Sequence, residues 1–294
     1  MAHRSGFVAL AGRPNVGKST LLNRLLGTKV AAVSPVPQTT RTVIRGILTR
    51  PDAQIVFLDL PGLHAPRHRL GEVMVDAARR ALGEVDLVAW IVEAGALPGP
   101  EERIAAEALR GAPVPILLVV NKLDRATPAG AETTARAAAS LVPVTETVMV
   151  SAQTGAGLPD LVDRIIARLP EGPAYYPEDM VTDQPEQFLV REIIREHAIH
   201  LTRQELPHAL AVEIEEFAER PRGLTYVRAT LHVEKPSQRK IVIGHGGQRL
   251  RAIGAAARAG AEALLGRKVY LDLWVTVTPD WREKPALIRG FYPE

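Results

Sequence analysis

The sequence predicts an α/β fold with a mostly parallel sheet, followed by a smaller α+β domain. Three observations predict it. Gly12-Arg13-Pro14-Asn15-Val16-Gly17-Lys18-Ser19 fits the phosphate-binding pattern G-x-x-x-x-G-K-[ST], with an apolar strand pattern at 7–11 before it and a helical pattern at 20–26 after it. Short apolar runs then alternate with helical patterns as far as residue 170, as βα units on a parallel sheet do. A stretch rich in Pro and Gly follows, and beyond it strands and helices come grouped rather than alternating. The expected boundaries are 1–172 for the first domain, 173–185 for a semi-stiff linker and 186–294 for the second domain.

Length and composition bound the answer. A chain of 294 residues with 46% apolar content is long enough for two filled cores. No long uncharged apolar run occurs, so no membrane-spanning helix is expected. The first strand begins almost at once after Met1, leaving no room for a signal peptide, and cysteine is absent; both fit a cytoplasmic protein. The eight histidines are scattered without metal-ligand spacing, so zinc is not expected. A net charge of +3 does not announce a nucleic-acid binder.

In the opening motif the glycines Gly12 and Gly17 let backbone wrap an anion, with the N–H groups around Val16, Ser19 and Thr20 pointing at it. Lys18 reaches the outer phosphates and the Ser19 hydroxyl reaches Mg²⁺. Residues 30–41 hold two prolines and read as a loop; its Thr39-Thr40 pair could offer a hydroxyl to Mg²⁺ or form an ordinary polar turn. A strand at 53–58 delivers Asp59-Leu60-Pro61-Gly62, with an acid at a strand's carboxyl end, where open α/β sheets bind ligands. There Asp59 can hold a metal-bound water and the Gly62 N–H can sense a terminal phosphate. Residues 63–71 read as a mobile basic loop, followed by helix 72–82, strand 86–92, helix 101–110 and strand 114–120.

That strand ends in Asn121-Lys122-Leu123-Asp124. The Asp124 carboxylate can accept both the N1–H and the 2-amino group of guanine; adenine would leave it unpaired and buried, which is costly. Asn121 can bond the other base edge and tie adjacent loops, and the Lys122 stem can pack on base and ribose. Helix 131–141 and strand 144–150 lead to Ser151-Ala152-Gln153, a loop whose backbone N–H could reach guanine O6. Helix 157–169 closes the domain.

The ordered set GRPNVGKS, QTTR, DLPG, NKLD and SAQ resembles translation-factor-related GTPases of the Era type over residues 5–170. The resemblance implies GTP and GDP as ligands with Mg²⁺ held by Ser19, Thr40 and Asp59, Thr39 being the alternative to Thr40. It makes Lys18, Thr40 and Gly62 the catalytic set. Leu60 departs from the usual Thr of DTPG without touching the roles of Asp59 and Gly62. Leu63 stands where Ras-like GTPases carry the glutamine that orients water, so slow intrinsic hydrolysis is expected. Asn15 is a candidate potassium ligand, since some relatives hold K⁺ with an Asn there; otherwise it braces the loop.

In the second domain a helix at 186–203 precedes alternating strand patterns at 208–217 and 226–234. Local propensity makes Ile241-Val242-Ile243 a strand. The pattern I-G-x-x-G-x-x-[LI] from Ile243 onward instead resembles a KH domain, in which that run ends a helix and Gly244-His245-Gly246-Gly247 joins it to the next. With strand 268–278 the order is that of a type II KH domain, and single-stranded RNA is the ligand class it implies. From Lys235 to Arg258 there are six Lys or Arg residues and no acid. The RNA-contacting candidates are Lys235, Arg239, Lys240, Gly244, His245, Gly246, Gly247, Arg249 and Arg251.

Together the two resemblances imply an RNA-binding GTPase at the 3′ end of 16S ribosomal RNA, acting in maturation of the 30S subunit. They also imply a monomer with peripheral contact to the inner membrane. Two rivals are a GTP-regulated adaptor whose second domain binds protein, against which the basic run argues, and an ATP-using enzyme, against which Asp124 argues.

Overall fold

The computed structural model describes residues 3–202, 206 and 209–292. Expectations that touched Met1, Arg203 and His208 lie outside the described residues. By their contacts the rest group into two compact units. One runs through Ala31, then Thr40–Arg67 and Gly71–Asp183; the other takes Ala32–Thr39, His68–Leu70 and the described residues from Gln184 on.

In the first unit the strands are β1 (Arg4–Ala11), β2 (Ile44–Arg50), β3 (Ala53–Asp59), β4 (Leu87–Glu93), β5 (Ile116–Asn121) and β6 (Glu146–Met149). They form one sheet in the order β2-β3-β1-β4-β5-β6, parallel throughout except for antiparallel β2. The helices are α1 (Lys18–Leu26), α2 (Arg69–Leu82), α3 (Pro100–Leu109), α4 (Pro128–Ala139) and α5 (Leu158–Ile166). Every residue of β3 and β5 is buried, which is why these strands read as continuous apolar runs rather than alternating ones. Strand β2 carries no such run and was not expected; it adds to the sheet edge by pairing Ile44–Arg50 against β3. Helix α2 begins at Arg69, three residues early; residues 63–67 are irregular backbone, as expected of a loop, with Leu63 and His64 buried.

The stretch expected as a linker is held to this sheet as far as Asp183. The Ser5 hydroxyl donates to Pro173 O at 2.6 Å and the Ile47 N–H to Val181 O at 2.9 Å. Buried Gln54 accepts the N–H groups of Tyr175 and Tyr176 at 2.7 and 2.9 Å and donates to Tyr176 O at 2.9 Å. Arg45 pairs with Asp183 at 3.0 Å. Absence of periodicity identified irregular backbone here, but the side chain that pins it lies more than a hundred residues upstream.

In the second unit α6 (Glu186–Thr202) precedes β7 (Ala211–Arg220) and β8 (Leu224–Val233), then α7 (Pro236–Ile243), α8 (Gln248–Leu265) and β9 (Lys268–Val277). This is the α-β-β-α-α-β order expected. Strands β7 and β8 are antiparallel with an irregularity between Ile214 and Glu216, and β8 and β9 are parallel. The core is Val190, Ile194 and Ala198 of α6 against Val227, Ala229 and Leu231 of β8 and Ile253, Ala257 and Ala261 of α8. The small residues of α8 let α6 approach: a Cβ on Gly260 would meet Ile193 at 3.0 Å. A terminal helix, α9 (Pro285–Phe291), was not foreseen; buried Trp281 anchors this end through its indole N–H to Ala209 O at 2.9 Å.

Candidate functional site

The first unit brings four of the sequence motifs, and Glu93 beside them, to the carboxyl ends of neighbouring parallel strands. β1 feeds the glycine turn, β3 ends in Asp59, β4 in Glu93, β5 in Asn121, and β6 leads into Ser151. Gly12 has φ of +144°, and a Cβ there would meet Ile91 O at 2.4 Å, so only glycine closes the turn against β4. Asn15 also takes a positive φ of 64°.

A hydroxyl–carboxylate cluster lies beside the start of α1. Ser19 Oγ donates to Asp59 Oδ2 at 2.6 Å, Thr40 Oγ1 to the same oxygen at 3.2 Å, and the two hydroxyls are 2.8 Å apart. Thr39 lies elsewhere, its hydroxyl donating to Val36 O at 2.7 Å, so the geometry brings Thr40 and not Thr39 to Asp59. Asp59 is fully buried, and its Oδ1 has no hydrogen-bond partner among the described residues. Burial pushes its pKa up to about 6, against the opposing pull of Lys18 and the Ser19 and Thr40 hydroxyls. Buried Lys18 donates from Nζ to Gly12 O at 3.1 Å and Arg13 O at 2.8 Å. Its pKa is lowered to about 8, chiefly by burial, with Asp59 opposing and Arg13 adding to the shift. A buried oxygen with no partner, beside two hydroxyls and a cation, fits a site for Mg²⁺ and phosphate. Gly62 packs where a Cβ would strike Pro14 at 2.8 Å, and its carbonyl meets His64 Nδ1 at 2.6 Å. Leu63 is part of the apolar core, so no polar side chain stands directly after Asp-x-x-Gly.

The Asn121-Lys122-Leu123-Asp124 stretch is tied into the turn. Asn121 donates from Nδ2 to Val16 O and accepts the Ala152 N–H on Oδ1, both at 2.9 Å. The loop-tying role expected of Asn121 is therefore seen, and the Ala152 N–H is engaged by it rather than pointing outward. Lys122 donates to Asn15 O at 2.8 Å and pairs with Glu93 at 3.0 Å. Asp124 accepts a hydrogen bond from the Ser151 hydroxyl. Sequence reasoning missed Arg13, Glu93 and Glu102: Arg13 pairs with Glu93 at 2.9 Å and with Glu102, bracing the turn against β4 and α3. The signal was available, because Glu93 ends a parallel strand just as Asp59 and Asn121 do.

In the second unit, Gly244, Gly246 and Gly247 have φ of +72°, +53° and +78° between α7 and α8. A Cβ at Gly244 would meet Arg249 Cβ at 2.7 Å, so the first glycine lets the two helices meet. The run expected to be helical rather than extended is indeed the end of α7. Lys235, Arg239, Lys240, His245 and Arg251 are exposed. Arg249 donates to Ile241 O at 2.7 Å and Arg251 to Gly246 O at 2.8 Å, so these two guanidiniums also cap the turn. None of Lys235, Arg239, Lys240, Arg249 and Arg251 has a carboxylate partner among the described residues.

Two family models match the chain: a 50S ribosome-binding GTPase over residues 7–122 and a KH domain over residues 205–282. The GTPase Era of Carboxydothermus hydrogenoformans is 49% identical over 99% of this chain and 98% of its own. This chain belongs to the Era family of GTPases. The GTPase Era of Heliobacterium modesticaldum is 48% identical over 98% of this chain and 96% of its own. A variant of Aquifex aeolicus Era bound to GDP·AlF₄⁻ matches with a TM-score of 0.92 and 40% identity, over 98% of both chains. An Era in complex with MgGDPNP and nucleotides 1506–1542 of 16S ribosomal RNA matches with a TM-score of 0.93 and 41% identity, again over 98% of both. Like other Era proteins the chain is a GTPase with a C-terminal KH domain. No helix among the described residues is long and apolar enough to cross a membrane.

Proposed function

We propose that this Era-family GTPase binds Mg²⁺·GTP at the carboxyl end of its first sheet and the 3′ end of 16S ribosomal RNA through its glycine turn, acting on the small ribosomal subunit. The observation that carries the nucleotide half is Asp59: a buried carboxylate with one oxygen unpartnered and two hydroxyls on the other. Ser19, Thr40 and Asp59 would hold Mg²⁺, which would neutralise developing phosphate charge. Lys18 would exchange the carbonyls of Gly12 and Arg13 for the outer phosphates, contributing charge stabilisation in a water-poor site. Thr40 and Gly62 would contact the terminal phosphate, by hydroxyl and backbone respectively. Asp124 would accept the N1–H and 2-amino group of guanine, with Ser151 keeping the carboxylate in place. The RNA half is supported by the Era complex with 16S nucleotides and by the carboxylate-free cations around 244–247.

The test is RNA affinity, measured with a 16S 3′-end fragment in the presence of GDP and of a non-hydrolysable GTP analogue. The GTP form is expected to bind more tightly, and by linkage the RNA should tighten the analogue by the same factor. Equal affinities would refute the switch. With Leu63 in the core, hydrolysis should run well below the roughly 10 per second of a typical enzyme. Asn15 in the turn is proposed to hold a potassium ion that accelerates it. Equal rates in NaCl and KCl at one ionic strength would remove that role.

A further inference from the structure

The sheet of the second unit has one face against its helices and one open. Alternation along β9 puts Leu271, Leu273 and Val275 toward the core and Tyr270, Asp272 and Trp274 on the open face. Tyr270 and Trp274 are 58% and 60% exposed. Tyr270 stacks on Tyr226 of β8, with ring centroids 5.8 Å apart and planes 14° apart. Trp274 sits opposite Thr230, and Asp272 opposite Arg228.

The charges on this face differ from those around the glycine turn. Glu215 and Glu216 pair with Arg228 at 3.2 and 3.6 Å, and Glu216 also pairs with Arg220. Glu213 lies 3.1 Å from His232, and Asp272 accepts a hydrogen bond from the Tyr226 hydroxyl at 3.3 Å. Lys268, at the end of β9, is drawn to Glu262 of α8 at 3.7 Å. The face thus carries four carboxylates and two guanidiniums, and only Glu215 and Glu216 hold those guanidiniums, leaving Glu213 beside His232 and Asp272 beside the Tyr226 hydroxyl. Phosphate would be repelled, while cations would be welcome. The face also shows how it takes a cation: the Arg220 guanidinium lies 5.3 Å from the centre of the Tyr226 ring. Trp274, the better cation acceptor, has no ring or cation partner among the described residues.

We propose that this open face docks an extended, basic polypeptide segment of a partner protein, with Lys or Arg side chains over Trp274 and Tyr270 and neighbouring cations against Glu213, Glu215 and Asp272. It is a second binding surface, independent of the glycine turn and of the nucleotide. The GTPase could then hold RNA on one side of its KH domain and a basic protein tail on the other.

Trp90 and Trp281 are fully buried, so Trp274 is the exposed indole and its emission reports on this face. Full-length protein is titrated with a fluorescently labelled Arg-Gly repeat peptide, a Glu-Gly repeat peptide and single-stranded oligouridylate, reading label anisotropy and indole emission. The Arg-Gly peptide should bind saturably and shift the emission, and the acidic peptide should do neither. Trp274→Ala should weaken the peptide by about tenfold and Glu215→Lys with Asp272→Lys similarly, whereas Trp274→Phe, which keeps a ring, should lose less. Gly246→Asp with Gly247→Asp should leave peptide affinity unchanged. Peptide binding that ignores both Trp274→Ala and the charge reversal overturns the proposal. So does oligouridylate moving the Trp274 emission more than the peptide, which would make the face a nucleic-acid platform.

Discussion

At the carboxyl end of the first sheet Lys18 is buried, held by two backbone carbonyls and close enough to Asp59 to influence its ionisation. Around the glycine turn of the second unit Lys235, Arg239 and Lys240 are exposed and carry no carboxylate partner. Both regions are proposed to take phosphate, yet one is a preorganised pocket and the other an electrostatic surface. In the pocket each side chain is committed before the ligand arrives: Asn121 spans Val16 and Ala152, Lys122 spans Asn15 and Glu93. Such a site loses little entropy on binding and discriminates strongly, because a wrong ligand leaves buried groups unpaired. On the surface, solvated cations attract any polyanion, and selectivity must come from the shape that the three glycines create.

The contrast can be broken first at the turn. Gly246→Asp with Gly247→Asp places two carboxylates where phosphates are proposed to approach, at φ of +53° and +78°, a left-handed conformation that Asp280 of this chain also adopts, so the turn should keep its shape. RNA affinity, measured by filter binding, should fall about a thousandfold while GDP affinity stays unchanged. In the wild type the same RNA affinity should drop steeply with salt, and a shallow salt slope would contradict the surface picture.

A smaller effect is expected at Asp124, the carboxylate proposed to read the base. Asp124→Asn keeps an acceptor for the Ser151 hydroxyl but presents an amide to guanine. GTP should weaken by about fiftyfold and xanthine nucleotides should become ligands, as read by calorimetry, since the amide can donate to the 2-oxo group. An unchanged GTP affinity would show that Asp124 does not face the base.

The gentlest test is pH. Burial raises the Asp59 pKa to about 6, so the carboxylate is ionised above that value and takes up a proton below it. Mg²⁺·GDP affinity should therefore be highest between about pH 6 and 8, fall about tenfold per unit well below that window as Asp59 takes up a proton, and fall again above it as Lys18 loses its charge. RNA binding carried by Lys and Arg should not follow that curve, and a shared pH profile would erase the distinction between pocket and surface.

Much of both regions could be read from local residue order. Gly12, Asp59, Asn121 and Asp124 are legible because each stands at or just after a strand's end, and Lys18 and Ser19 because they open the helix behind the glycine turn; the buried strands that lead to them show as unbroken apolar runs. The short helix α7 is a case where propensity and motif disagreed, and the motif prevailed because packing of Val242 into the core outweighs its β preference. Chain order alone also determined the α-β-β-α-α-β arrangement around the glycine turn. What required tertiary structure was every choice made by a distant partner. Thr40 rather than Thr39 meets Ser19 and Asp59 because the loop's path brings it there, and adjacent identical residues hold no local information about that path. Arg13 gains its role only through Glu93 and Glu102, the stretch to Asp183 is pinned through Gln54, and β2 exists only because β3 offers it an edge. Pattern reasoning reaches what a residue does within its own element; long-range hydrogen bonds and ion pairs depend on how elements assemble, which no single stretch of sequence encodes.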